Sequence, residues 1–421
     1  MLFASLLSRF IRIGRLSVID AAGKVHVFEG SPGSAATVRL HDRALHWKLL
    51  LKPRLFVPEA YMDGTLTIED GSLYDFIDIL VANDASQPNA LLLWLGQAAG
   101  RLVRRLHQYN RAPRARRNVA HHYDLSDQLY ELFLDRDRQY SCAYFRLPED
   151  DLDTAQQNKK RHIASKLLLG PGQKVLDIGS GWGGLALYIA AQSGADVTGL
   201  TLSQEQHKVA NRRAAEAGLA DRVRFHLRDY REETGRYDRV VSVGMFEHVG
   251  INQYPAFFRK LSELLAPEGV ALLHSIGRMS GPGTTNPWLR KYIFPGGYSP
   301  ALSEVVPEAE RAQLWITDVE ILRRHYAETL RAWRHRFEQN RDRIRGLYDE
   351  RFCRMWEMYL VGAELAFRRD GHFVFQMQLA KSGDTVPLTR DYIVDWERAH
   401  NPMVQSAVVQ NAGVETTGRV A

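Results

Sequence analysis

Val175-Leu176-Asp177-Ile178-Gly179-Ser180-Gly181-Trp182-Gly183-Gly184 reads as an apolar strand feeding a glycine-rich turn, with a helical stretch, Leu185–Gln192, directly behind it. Glycine lets a backbone approach a ligand closely, and the first turn of the following helix presents free N–H groups. A glycine turn after a strand also suits a dinucleotide. That reading wants an acid at the end of the second strand for the ribose. Here the second strand runs Val197-Thr198-Gly199-Leu200-Thr201-Leu202 and ends without one. Outward from the turn, strand candidates Lys174–Ile178, Asp196–Leu200, Val223–Leu227, Tyr237–Val243 and Val270–His274 alternate with helical stretches. Alternation of this kind implies an α/β, doubly wound parallel sheet. An Arg-rich helical region over 319–369 and a final strand, Phe373–Leu379, complete the pattern.

Upstream the style differs. Short strand-like runs, Leu16–Ile19, Lys24–Phe28 and Ala36–Leu40, alternate with Gly/Pro turns, and the chain turns helical from Leu73. This predicts a smaller α+β unit over 1–110, and 421 residues suit two domains better than one. Arg-Ala-Pro-Arg-Ala-Arg-Arg at 111–117 marks a basic linker over 111–120, ahead of a catalytic unit over 121–400 and a tail over 401–421 read as disordered. Seven arginines and no acid lie between Arg101 and Arg117. Such a run favours an anionic partner, nucleic acid or a phospholipid surface, with a solvated linker as the plain alternative. Leu2, Leu6, Phe10 and Ile13 recur at helical spacing between arginines, which fits an interfacial helix or one packed on its own domain equally well. No run reaches the roughly 18–20 apolar residues of a spanning helix. Two cysteines, Cys142 and Cys353, exclude a disulfide framework or a cysteine-based zinc cluster and fit a reducing cytoplasm. His121 and His122 adjoin the linker without convergent partners, so no metal is expected.

Several words in this chain resemble one family, the cyclopropane-fatty-acyl-phospholipid synthases with their mycolic acid cyclopropane synthase relatives. They are His122-Tyr123-Asp124, Gln139-Tyr140-Ser141-Cys142-Ala143-Tyr144, Val175–Gly184, Gly199–Gln206, Val243-Gly244-Met245-Phe246-Glu247-His248-Val249-Gly250, Leu272-Leu273-His274-Ser275-Ile276-Gly277 and Lys291-Tyr292-Ile293-Phe294-Pro295. Glu59-Ala60-Tyr61-Met62-Asp63-Gly64 is similar to the N-terminal domain of the phospholipid-acting members. The resemblance implies a Rossmann-like class I methyltransferase domain using S-adenosylmethionine, in which Asp177 before the glycine turn helps position the methionine part. It assigns the cofactor to Tyr140, Ser141, Asp177, Gly179, Gly181, Gly183, Thr201, Leu202 and Gln206, with Tyr230 and Arg231 near the adenine. It maps the active site to Cys142, Glu247, His274, the backbone of Ile276, and Tyr326, which in family members hold a bicarbonate ion as catalytic base. Two departures stand out: Gly179-Ser180-Gly181 where Gly-Cys-Gly is common, and Ala363 where many members carry a late cysteine, which leaves Cys353 structural.

The implied reaction adds a methylene unit to the cis double bond of an unsaturated phospholipid acyl chain. The alkene must be held against the sulfonium methyl, the resulting carbocation shielded by aromatic faces, and a proton removed to close the ring. Tyr144, Phe145, Tyr292, Phe294 and Tyr326 are the aromatic candidates, each open to a plain core role. Read without the resemblance, Cys142 suits buried packing and His274 is as well explained as a core histidine. Glu247 is harder to explain as packing, because it follows an apolar strand at the sheet's carboxyl end. Pulling a ~16-carbon chain into water would cost on the order of 12 kcal/mol, so the enzyme is expected at an anionic membrane surface, peripherally on the cytoplasmic face. A homodimer is compatible with this arrangement. Competing readings are a lipid methyltransferase that stops short of ring closure, a nucleic-acid methyltransferase, and a non-catalytic lipid-binding protein. The chain lacks the Asn/Asp-Pro-Pro-aromatic word of amino-directed DNA enzymes, so no nucleic-acid partner is expected.

Overall fold

A computed structural model describes residues 2–85 and 126–401. The Arg101–Arg117 run, His121, His122, the 111–120 linker and the tail from 402 lie outside the described residues. Two sheets organise the rest. The smaller contains β1 (Ile13–Ile19), β2 (Val25–Glu29), β3 (Ser31–Leu40) and β4 (Leu66–Asp70) in the order β2-β1-β3-β4. In β1, Gly14, Leu16 and Val18 are buried while their neighbours are more open, the alternation of a half-buried strand. Leu2–Phe10 is helical, but Ile13, the last residue of the predicted helical spacing, opens β1 instead. The helix Leu73–Ala85 appears where expected. The sequence reading missed two more, Leu45–Leu51 and Pro53–Met62, the second of which carries a proline at its start and another inside.

The larger sheet holds β5 (Lys174–Ile178), β6 (Asp196–Thr201), β7 (Val223–Leu227), β8 (Tyr237–Val243), β9 (Leu265–Arg278), β10 (Trp315–Ile321) and β11 (His372–Ala380). Its order is β10-β11-β9-β8-β5-β6-β7, with β9, β8, β5, β6 and β7 parallel and β11 antiparallel to both neighbours. From Val175 to Ile178 every residue of β5 is buried, which is why a central parallel strand reads as an unbroken apolar run. Two expectations change here. Residues 319–321 belong to β10, and helix follows only from His325. β9 runs to Arg278, so His274 sits within the strand and pairs with Gln376 of β11 rather than closing it.

One hydrophobic cluster joins the small sheet to the aromatic helices above the large one, including Tyr130, Phe133, Trp333 and Trp356. The Glu59–Gly64 word forms the seam. Tyr61 donates to Glu357 at 2.7 Å, Lys291 and Tyr292 both donate to Glu59 at 2.7 and 2.9 Å, and Arg351 donates to Asp63 at 2.8 Å. Among the described residues no helix is long and apolar enough to cross a membrane.

Candidate active site

The glycine turn stands at the carboxyl end of β5, where ligands bind in open α/β sheets. The N–H groups of Gly179 and Ser180 both donate to the Leu200 carbonyl at 2.9 Å, tying the turn to β6. Gly181 has φ +55°, and a Cβ placed on it would meet nothing within 4 Å. The space in front of it is a cavity of about 150 Å³. Of the residues assigned to the cofactor, Tyr140, Ser141, Asp177, Gly179, Gly181, Thr201, Leu202, Gln206, Tyr230 and Arg231 line it. Gly183 does not line it. A Cβ there would lie 2.6 Å from the Phe225 ring and 3.1 Å from Ala210, so this glycine serves helix–sheet packing. Gln139, Met245 and His248, quoted from sequence only within longer words and given no role there, also line the cavity, as does Asp229, which the sequence reading did not mention. Asp229 holds Arg231 through two hydrogen bonds of 2.8 and 2.5 Å. Thr201 donates to Gln206 at 2.8 Å.

Two buried carboxylates are incompletely satisfied. Asp177 Oδ2 has no hydrogen-bond partner among the described residues, and burial pushes its pKa up to about 7. Glu247 Oε1 accepts from the Ile276 N–H at 2.7 Å, while Oε2 is buried without a partner. Burial raises Glu247 to about 7 against the lowering effects of that N–H, of its own backbone and of the nearby Ser275 hydroxyl. An orphaned buried oxygen is costly, and native folds keep few of them without a ligand or chemical role. Here a cofactor ammonium suits Asp177, and a hydrogen-bonding anion suits a protonated or bridged Glu247.

The other residues assigned to the active site stand on separate elements, and none of Cys142, Glu247, His274, Ile276 and Tyr326 lines this cavity. His274 lies two residues before Ile276 on β9, and burial holds its imidazole neutral, well below the usual histidine range. Lys166 donates to Gln376 Oε1 at 2.8 Å, which turns the amide Nε2 toward His274 Nδ1 at 3.2 Å. Nδ1 therefore accepts, and the ring proton rests on Nε2. Gln376→Leu should release this tautomer while Lys166 keeps its contact with Glu320. Imidazole nitrogen NMR is expected to show a mixed Nδ1–H/Nε2–H population in place of a single form, and an unchanged spectrum would contradict the relay. Cys142 is fully buried, its thiol pushed well above the ordinary range by burial, with Sγ 3.3 Å from the Ala143 carbonyl. The Ala143 N–H donates to Thr329 at 3.0 Å, one helical turn from Tyr326. Tyr326 and Tyr140 flank Trp333, with ring centroids 5.8 and 5.1 Å from it.

The aromatic candidates divide. Phe294 packs against Tyr359 and against His248, which lines the cavity, at 5.6 and 6.0 Å. Tyr144 instead stacks between His162 and His325 at 4.1 and 4.7 Å, Phe145 joins that stack, and Tyr292 is held by Glu59 in the seam. Cys353 is buried against the Arg341 carbonyl.

A family model for mycolic acid cyclopropane synthetase matches residues 110–377, well over half of the chain. The chain belongs to this family. A cyclopropane-fatty-acyl-phospholipid synthase of Escherichia coli is 38% identical over 340 residues, covering 80% of this chain and 86% of its own length. A probable fatty acid methyltransferase of Pseudomonas putida is 42% identical over 259 residues, covering 60% of this chain, which spans 66% of that relative's length. Among solved structures, mycolic acid cyclopropane synthase CmaA1 complexed with SAH and CTAB superposes with a TM-score of 0.60 at 33% identity, covering 63% of this chain and 97% of that one. Coclaurine N-methyltransferase bound to SAH, at 20% identity and TM-score 0.64 over 77% of this chain and 99% of its own, shows the same fold. The α/β sheet is thus that of the class I S-adenosylmethionine-dependent methyltransferases.

Proposed function

We propose that this family member transfers a methylene unit from S-adenosylmethionine to the cis double bond of an unsaturated phospholipid acyl chain, forming a cyclopropane fatty acid. The reading is carried by Glu247, a buried carboxylate with one unpartnered oxygen, whose other oxygen accepts from the Ile276 N–H, two residues beyond the neutral His274 on β9. The phospholipid half draws on the E. coli relative, whose similarity extends over 80% of the chain. In the reaction the alkene π pair forms a C–C bond to the methyl carbon as the S–CH₃ pair returns to sulfur. A proton then leaves the new methyl group, and its C–H pair closes the ring onto the cationic carbon. Glu247, His274, Cys142, Tyr326 and the Ile276 backbone would hold a bicarbonate ion, which when bound would supply the base for that proton. Tyr326, Phe294 and Tyr140 are the proposed aromatic shield of the developing cation, since such faces stabilise positive charge.

A second reading, methyl addition without ring closure, is favoured by the 42% identity to the P. putida fatty acid methyltransferase and to a tuberculostearic acid methyltransferase of Mycobacterium tuberculosis. Incubation with unsaturated phospholipid vesicles and S-adenosylmethionine separates the two. Both products gain one CH₂, but a cyclopropane resists mild hydrogenation and gives high-field proton resonances. An olefinic product would leave lipid methyl transfer standing and refute cyclopropanation.

The proposal places the protein peripherally at an anionic bilayer on the cytoplasmic face, with the Arg101–Arg117 run supplying attraction of about 1 kcal/mol per arginine. Replacing Arg104, Arg105, Arg114 and Arg116 by glutamine should therefore weaken binding to anionic vesicles and spare turnover of detergent-solubilised substrate. Sedimentation with vesicles and a parallel detergent assay check this; equal loss in both would assign these arginines to folding or catalysis.

A further inference from the structure

The helix Leu152–Ser165 turns Gln156, Lys159 and Lys160, at i, i+3 and i+4, onto the segment before the glycine turn. Gln156 donates to the carbonyls of Gln139 and Ser141 at 3.2 and 3.0 Å, and Lys160 pairs with Asp137 at 2.5 Å. Lys159 lies between them with no solvent exposure. Its ammonium donates to Gln139 Oε1 and, at 2.9 Å, to Ser141 Oγ, both neutral oxygens. A buried cation is expensive and normally rests against a carboxylate. Burial pulls its pKa down to about 8, against the charges of Asp135 and Asp137. Lys159 does not itself reach the cavity, but both of its acceptors line it.

We propose that Lys159 is a positioning residue that makes Ser141 a hydrogen-bond donor to the carboxylate at the amino-acid end of S-adenosylmethionine. An ammonium has donors only, so Ser141 Oγ must accept from it, and the hydroxyl proton is left to point elsewhere. Among the described residues that hydroxyl donates to no protein group, and Ser141 is placed at the cavity beside Gly244, at the end of β8. Asp177, also lining the cavity, offers an unpartnered acceptor. The cavity thus presents a donor backed by positive charge and a carboxylate, the two polarities that a zwitterionic amino-acid group requires. The inference rests on the cofactor reading given above and is independent of the lipid product.

Calorimetry with S-adenosylhomocysteine and with 5′-methylthioadenosine, which lacks the amino-acid end, tests it. Lys159→Met is expected to weaken S-adenosylhomocysteine about 10- to 100-fold, the worth of one hydrogen bond to a charged group. Affinity for 5′-methylthioadenosine should stay within about twofold. Loss of both in equal measure, or of neither, overturns the proposal. If Lys159→Met does not fold, Ser141→Ala decides alone: it should reproduce the selective loss, and an unchanged ratio of the two affinities overturns the proposal. In the double variant the losses should not add, since both changes remove the same contact. Additive losses would show that Lys159 acts by another route. Wild-type protein that binds neither compound would overturn the cofactor reading itself, and this inference with it.

Discussion

Glu247→Gln is expected to cut turnover by roughly 10²–10⁴-fold, the reach of general-base catalysis, while S-adenosylmethionine affinity changes little. The substitution is nearly isosteric. Its amide oxygen still accepts from the Ile276 N–H, so the junction with β9 survives, and only the unpartnered Oε2 is exchanged for a donor. Bicarbonate depletion should lower wild-type activity and re-addition restore it. A fully active Glu247→Gln variant would remove the proposed base site. Stability gives a second readout with a definite sign. Glu247 titrates near 7 in the folded protein and near 4.5 when exposed, so its protonation stabilises the fold fully below pH 4.5. That contribution is lost as pH rises through 7. It amounts to on the order of 3 kcal/mol. Glutamine carries no such penalty, so the melting temperature of Glu247→Gln should gain on wild type between pH 5 and pH 8. A gap that stays constant across that range would mean that Glu247 is ionised in the folded state throughout.

Gly181→Val should abolish cofactor binding in a protein that remains folded. The side chain would project into the cavity, where a Cβ meets nothing within 4 Å, and so would occupy ligand space without displacing protein atoms. The left-handed φ of +55° adds strain of about 1–2 kcal/mol for a branched residue, which a sheet of this size tolerates. Gly183→Ala should do the reverse. Its Cβ would press on Phe225 and Ala210, destabilising the protein while leaving the cavity wall intact. Calorimetry and thermal melting on both variants test the contrast, and unchanged affinity in folded Gly181→Val would sink the assignment of the glycine turn to the cofactor.

The strands β5, β6 and β8 were legible because a central parallel strand is buried on both faces and leaves a largely apolar run between turn signals, and β7, at the sheet's edge, because buried Val223 and Phe225 alternate with more open residues. The glycine turn, Asp177 and Glu247 were legible for the complementary reason, that each departs from what packing alone would place there. Local sequence misled where tertiary contacts govern. β10, an edge strand with partly open side chains, carries no strong period, and it was missed, its last three residues being absorbed into the helical region beyond it. β9 continues past His274 because β11 pairs with it as far as Arg278, a partner about a hundred residues away. Sequence by itself determined the fold class and the position of the glycine turn, and it singled out Asp177 and Glu247 as carboxylates that packing does not explain. Only the tertiary structure decided that Gly181 faces a cavity and Gly183 a phenylalanine, that Gln376 fixes the tautomer of His274, and that Lys159 lies buried behind Ser141. Each of these depends on which side chains meet across elements far apart in the chain, and spacing along one segment carries no record of the partner that arrives from another.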